Sequence, residues 1–240
     1  MLFSISRVGL ALALPVLSLA AQSGPPAPAE TAAARLHLRY AEFDPVAAWP
    51  AVPATLRGGG DTNLWIVQFV GAPTEPMREA VRAAGGQIHS YMPERAYVVR
   101  MPHGVAAAVA RLPQVRHVGY YEPAFRLEPA LLHEHLQSLE VPARRYRIVV
   151  VDKLRDKPAL GASIESLGGQ VDHGQPGSLL FEVSLTGEQL VRAARLDQVL
   201  WIDRWTPAEE DMNNARIQGG GSYVETAGGF KGLGLRGHVY

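Results

Sequence analysis

The chain contains an internal repeat of strands and helices, and this repeat limits the folds that it can adopt. Each copy is predicted to run strand, helix, strand, strand, helix, strand, from the spacing of its apolar residues and its turn signals. In the first copy the strands cover 64–70, 87–91, 96–101 and 115–121, and the helices cover 75–84 and 104–112. In the second copy the strands cover 146–151, 170–173, 179–185 and 199–205, and the helices cover 157–167 and 187–196. Two copies are too few for a solenoid, so two tandem domains are expected.

The register between the two copies supports a true repeat. The apolar face of the first predicted helix recurs after a shift of 83 positions, which places Met77, Val81 and Ala84 on Leu160, Ile164 and Leu167. A Gly-Gly pair ends each of these helices, at 85–86 and at 168–169. Residues 110–115 (ARLPQV) and 194–199 (ARLDQV) agree at five of six positions. Chance similarity between two unrelated units would not combine these features.

This order of elements predicts an α+β fold of the ferredoxin-like kind, in which an antiparallel sheet carries two helices on one face. The predicted copies cover 62–128 and 144–206, and an amphipathic connector helix is expected within 129–143. Such small units bury a low fraction of their surface and are marginally stable alone. The other face of each sheet is expected to be open, and an exposed apolar face is a natural docking surface.

The N-terminus is typical of a secretory signal peptide over residues 1–20. Arg7 supplies the positive charge, residues 8–19 are mostly apolar, and small residues precede a cleavage point after Ala20. A membrane anchor is the alternative, but the apolar run is shorter than the roughly 20 residues of a spanning helix and contains Pro15. The protein is therefore expected to be secreted or periplasmic, without a stable membrane anchor. Residues 21–61 are predicted to be a leader and linker, of which 36–60 is extended or irregular chain that packs onto the first copy of the repeat.

Composition argues against several classes of function. Lys plus Arg and Asp plus Glu are both 23, so the basic excess of a nucleic-acid-binding protein is absent. The chain has no cysteine, and therefore no disulfide and no thiol nucleophile. Residues 232–237 match a dinucleotide-binding string, but no helix follows them, so no cofactor is expected. His133 and His135 lack metal-ligand spacing and are predicted to be solvated.

No catalytic group is predicted in this chain. A Gly-x-Ser-x-Gly nucleophile elbow is absent, and the sequence pairs no serine with a histidine. The strand aromatics Trp65, Phe69, Tyr97, Tyr120, Trp201 and Trp205 are expected to pack in a core or on a docking face. Base stacking on such aromatics would require a basic surrounding that this neutral chain lacks.

The last residues carry a resemblance to a known family. Residues 229–240 (GFKGLGLRGHVY) resemble the opening of the catalytic domain of subtilisin-like serine proteases. On that register the catalytic Asp would directly follow Tyr240. Residues 64–69 (LWIVQF), 97–100 (YVVR) and 112–118 (LPQVRHV) are similar to the inhibitory prosegments of these proteases. The chain is therefore identified as the front part of an exported subtilisin-like protease precursor.

The resemblance implies a mechanism and a partner. A prosegment of this family folds against its own or a cognate catalytic domain, assists its folding and then inhibits it. The second copy is expected to dock, because it adjoins the catalytic start. The processing bond is expected between Thr206 and Asn214, in a segment that also contains Pro207, Asp211 and Asn213. That segment can lie as an added strand in a substrate cleft.

Two other functions remain open. The chain could be a standalone exported inhibitor or chaperone of such proteases, or an exported tandem module with an unrelated ligand. The codons downstream of Tyr240 separate a precursor from a standalone inhibitor, because a protease precursor continues into Asp-Thr-Gly and the remaining triad motifs. A pull-down from the culture medium that recovered no protease would favour the unrelated ligand.

Overall fold

The computed structural model describes residues 35–137, 140–174 and 180–206, which form a mixed α+β structure with antiparallel sheets. A short two-stranded ribbon comes first, from β1 (Leu36–His37) and β2 (Glu42–Phe43). The first unit then contains β3 (Leu64–Phe69), α1 (Glu75–Ala83), β4 (Gln87–Met92), β5 (Ala96–Arg100), α2 (His103–Val109) and β6 (Val115–Tyr120). A 3-10 helix over Pro123–Arg126 and α3 (Pro129–Gln137) lead to the second unit.

The second unit repeats the first in element order and in strand order. It contains β7 (Arg144–Val150), α4 (Asp156–Ser166), β8 (Gln170–His173), β9 (Leu180–Leu185), α5 (Gly187–Ala194) and β10 (Val199–Arg204). The sheets are ordered β4-β5-β3-β6 and β10-β7-β9-β8. Numbered within each unit, both have the order 2-3-1-4, and every strand pair is antiparallel. The predicted order of elements is confirmed, with ends that shift by a few residues.

The predicted Gly-Gly helix stops are also confirmed. Gly85 and Gly168 adopt φ angles of +100° and +80°, a backbone region that residues with a Cβ atom rarely adopt. In both units the glycine pair donates to carbonyls of the last helical turn. Gly86 N donates to Val81 O at 2.9 Å, and Gly169 N donates to Ile164 O at 3.0 Å.

The first sheet is covered on both faces. Trp65, Val67 and Phe69 point toward α1 and α2 and form one hydrophobic cluster with them. At the centre of the opposite face Leu64, Ile66 and Val98 are also fully buried, whereas His117 on β6 is partly buried. The expectation that this face is open is therefore wrong. It belongs to a larger cluster that includes the chain before β3 and the second unit.

Residues 35–60, here called the seal, cover part of that face through specific contacts. The Trp49 ring stacks on the His117 ring at 5.3 Å and lies over Gly119, where a Cβ would come within 2.5 Å of it. Asp44 forms an ion pair with Arg116 at 2.7 Å. The seal is thus part of the folded first unit. This agrees with the expectation that residues 36–60 pack onto the first copy of the repeat.

A carboxylate also holds the seal against this buried face of the first sheet. Glu122 accepts hydrogen bonds from Trp49 Nε1 at 3.2 Å and from the backbone N–H of Gly58. Burial raises the pKa of Glu122. These two donors come from the seal and the acceptor follows β6, so the contact ties the seal to the sheet.

The position of His117 beneath Trp49 leads to a pH dependence. Burial, helped by the charge of Arg116, lowers the pKa of His117 from 6.5 in the folded state. The unfolded chain therefore binds a proton first as the pH falls below about 6.5, and the free energy of unfolding decreases over that window. His89 and His135 have pKa values lowered by burial and act in the same direction.

Between pH 7 and pH 5 we expect the urea midpoint of the wild type to change in a more destabilising direction than that of His117→Gln, since the opposing effect of the raised Glu122 pKa is present in both proteins. His37→Gln is the control, because the His37 side chain is half-exposed and lies outside this contact. An identical pH slope for the wild type and His117→Gln would contradict the assignment. The measurement is urea unfolding followed by tryptophan fluorescence at a series of pH values.

Polar contacts join the two units directly. The Arg100 guanidinium pairs with Asp156, and Arg195 pairs with Asp61 at 2.9 Å. Asn63 donates to both oxygens of Asp197, from its backbone N–H at 3.0 Å and from its side chain at 2.8 Å. Together with the shared hydrophobic cluster, these contacts fix one unit against the other.

Candidate functional site

The face of the second sheet that points away from its helices differs from the corresponding face of the first sheet. Strand side chains alternate between faces, and Tyr146, Ile148, Phe181 and Val183 are buried on the side of α4 and α5. The alternate residues form what is here called the outer face. None of its members on β7 or β9 is fully buried, and Leu180 is 37% exposed.

Strand register places the outer-face residues in three rows across the sheet. The apolar row contains Trp201, Val149 and Leu180. The charged row contains Asp203, Arg147, Glu182 and His173. The mixed row contains Trp205, Arg145, Ser184 and Gln170. Such directly opposed side chains interact across neighbouring strands. The face therefore presents an apolar band beside a charged band.

Arg145 organises the mixed row. Its guanidinium lies 4.7 Å from the centre of the Trp205 ring, a cation–π geometry. The same group pairs with Glu182 at 3.2 Å and approaches Asp172 at 3.6 Å. Asp172 in turn accepts from Ser184 Oγ at 2.7 Å. These side chains are consequently held in place before any partner arrives.

The charged row is less completely hydrogen-bonded. Arg147 and Asp203 are directly opposed on β7 and β10. Arg147 Nε and Asp203 Oδ1 are buried, and neither has a hydrogen-bond partner among the described residues. Burial raises the pKa of Asp203. Buried polar atoms are normally paired, so these two atoms are exceptions among the described residues.

The apolar row borders the first unit and a groove beside it. Arg39 from the seal lies 5.1 Å from the centre of the Trp201 ring. The groove has a volume of about 490 Å³ and is lined by residues of both units, including His89, Val149 and Leu154. Leu154 is 75% exposed at its edge. The apolar row and the groove together offer a shallow surface for apolar side chains.

Only one of the residues predicted for processing is described. Thr206 is exposed and follows the mixed row directly, and its carbonyl accepts from Arg147 Nη2 at 3.5 Å. The other predicted positions lie outside the described residues: Ala20, Pro207, Asp211, Asn213, Asn214 and Tyr240. The described chain therefore ends at the edge of the outer face.

The aromatic residues divide between core and surface. Trp65 and Phe69 are buried, whereas Trp201 and Trp205 are partly exposed on the outer face. His133 is exposed as predicted, and it hydrogen-bonds with Gln137. The prediction that His135 is solvated is wrong, because α3 packs against the second unit and leaves His135 only 7% exposed.

Residues 35–137, 140–174 and 180–206 contain no group of three or more potential metal ligands. Among the helices in these ranges, none has the length and apolar character needed to cross a bilayer.

The charged residues of the outer face were missed by the sequence interpretation, although a signal was present. Residues 144–150 (RRYRIVV) and 180–185 (LFEVSL) alternate polar and apolar positions over part of their length. That alternation is typical of a strand with one buried and one solvated face. It distinguishes the second sheet from β3, in which every residue is buried.

A family model matches part of the chain. Residues 37–122 match the model of a domain of unknown function, DUF8729. The matched range begins in β1 and ends just after β6, so it contains most of the seal together with the first unit. No curated protein and no solved structure matches the chain.

Proposed function

We propose that this chain is the N-terminal prosegment of an exported subtilisin-like serine endopeptidase, and that it assists the folding of the catalytic domain and inhibits it. The two units are interpreted as tandem ferredoxin-like domains, because each combines the β-α-β-β-α-β order with the strand order 2-3-1-4. The likeness of residues 229–240 to the start of that catalytic domain supplies the identity of the partner.

The observation that carries the proposal is the position of the outer face. It is partly exposed, it has an apolar and a charged row, and it ends at Thr206, directly before the segment that leads to residues 229–240. A partner that follows in the same chain would be tethered beside this face. Tethering raises the effective concentration of the partner, which favours docking even when the contact itself is modest.

Docking and inhibition would use different parts of the chain. The apolar row of Trp201, Val149 and Leu180 would bury surface against the catalytic domain. Residues 207–214 would enter the substrate cleft as an added strand and exclude substrate. Turnover would come from the catalytic domain alone.

The test is inhibition in trans by the chain without residues 1–20. We expect it to inhibit a cognate subtilisin-like protease, and we expect Leu180→Asp to weaken this inhibition by at least about tenfold. Leu136→Asp is the matched control, because Leu136 is also an exposed leucine, but it lies on α3. Absence of inhibition at high concentration would remove the proposed function. Equal losses for both variants would remove the outer face from it.

A further inference from the structure

Residues 121–128, here called the clamp, connect the first unit to the outer edge strand of the second sheet. Leu127 forms a parallel bridge with Ile202, and Glu128 N donates to Ile202 O at 2.9 Å. Tyr121 Oη donates to Leu200 O at 3.0 Å. The clamp thus lies along the side of β10 that is not paired with β7.

Glu128 adds a charged contact to the same strand. Its carboxylate accepts from the backbone N–H of Arg204 at 3.1 Å and from Arg204 Nη2 at 2.9 Å. Arg204 is the last residue of β10. The contact therefore fixes the end of the strand from which the chain continues to Thr206.

Arg126 joins the clamp to the helix that precedes β10. Its side chain is completely buried, and it donates to Ala194 O at 3.1 Å and to Leu196 O at 3.0 Å. Ala194 is the last residue of α5, where carbonyl groups lack helical partners and attract a cation. Burial lowers the pKa of Arg126 to about 10, so the guanidinium stays charged at neutral pH.

We propose that the clamp holds β10 in position, so that the first unit acts as an intramolecular brace for the docking surface. Edge strands have a strand partner on one side only and leave a row of backbone groups on the other side without a sheet partner. β10 is such a strand, and it carries Trp201 and Asp203 of the outer face. The centre of the corresponding face of the first sheet is covered by the seal and the second unit. The DUF8729 match, over residues 37–122, covers most of the seal and the first unit and ends at the start of the clamp.

The inference rests on the proposed function for the identity of the partner, but the holding of β10 can be measured without one. The experiment is amide hydrogen exchange on the whole chain, with Arg126→Met and Glu128→Gln as test variants. We expect the β10 amides to exchange at least tenfold faster in Arg126→Met and about threefold faster in Glu128→Gln. The β7 amides should keep their rates. Arg126→Lys should restore part of the protection, because it retains a buried donor.

Glu134→Gln is the matched control, since Glu134 also forms an ion pair with an arginine at 2.8 Å but lies on α3 outside the clamp. Unchanged β10 exchange in both test variants would overturn the brace. Equal acceleration across β7, β9 and β10 would also overturn it, because the clamp would then contribute only general stability. If Arg126→Met does not fold, Glu128→Gln decides by the same criteria.

Protease inhibition by the same variants separates the two proposals. A wild-type chain that fails to inhibit contradicts the proposed function, while its exchange pattern still decides the brace. If the wild type inhibits, Arg126→Met should both exchange its β10 amides faster than the wild type and inhibit the protease at least tenfold more weakly. Glu134→Gln should inhibit as the wild type does.

Discussion

Replacing Phe125 by alanine is expected to lower the free energy of unfolding by about 3–5 kcal/mol, the range for deleting a buried aromatic side chain. Phe125 lies in the clamp and is only 3% exposed. Its ring contacts four other aromatic rings with centroid distances of 5.0 to 6.4 Å, those of Tyr40, Trp49, Phe43 and Tyr121. Three of these rings belong to the seal, so the loss should affect the seal and the clamp together.

The measurement is urea unfolding of Phe125→Ala followed by tryptophan fluorescence and by far-UV circular dichroism. Leu154→Ala is the control, because Leu154 is 75% exposed and its truncation should change stability by less than about 0.5 kcal/mol. Comparable midpoints for Phe125→Ala and the wild type would show that the aromatic cluster does not hold the seal.

The second large effect is expected for Asp156→Ala, with a loss of about 3 kcal/mol. The Asp156 side chain is 8% exposed and binds the Arg100 guanidinium through both oxygens. It also accepts from Asp152 N at 2.8 Å and begins α4, where a negative charge is favourable. Removing the carboxylate would leave Arg100, which is 23% exposed, without its ionic partner between the two units.

Asp156→Asn should lose less than Asp156→Ala, because the amide retains the size of the side chain and one hydrogen-bond acceptor. Glu79→Ala is the control for an exposed ion pair, since Glu79 pairs with Arg82 at 3.1 Å on the surface of α1. Exposed pairs contribute little, so its unfolding midpoint should stay close to that of the wild type. A midpoint for Asp156→Ala equal to that of Glu79→Ala would exclude the contact as a stabilising link.

Local features of the fold could be predicted with good agreement, and the reason is visible at particular residues. Gly85 and Gly168 end their helices because the required backbone conformation depends on the residue itself. Thr186 caps α5 by a similarly local contact, an exchange of hydrogen bonds with Gln189 three positions away. The repeat in the sequence corresponds to the same strand order in both sheets.

The candidate site could be predicted only in part. The preference for the second unit followed from its position before residues 229–240, and which unit docks stays a prediction. The buried face of the first sheet could not be predicted, because Leu64 and Ile66 are apolar whether a partner or the seal covers them. Arg126 gave no signal, since an arginine is ordinarily exposed and two of its carbonyl partners, Ala194 and Leu196, lie about 70 residues away.

The strands and helices of the two units and the ends of the helices could be located from residue patterns, because they depend on side-chain periodicity and on backbone preferences within a few residues. The accessible sheet face and the strand that the clamp supports became visible only in the folded molecule. Those outcomes depend on contacts between residues far apart in the chain, such as Trp49 with Gly119 and Arg126 with Leu196. Burial of an apolar face is favourable against any apolar surface, so the pattern of one strand does not identify the segment that covers it.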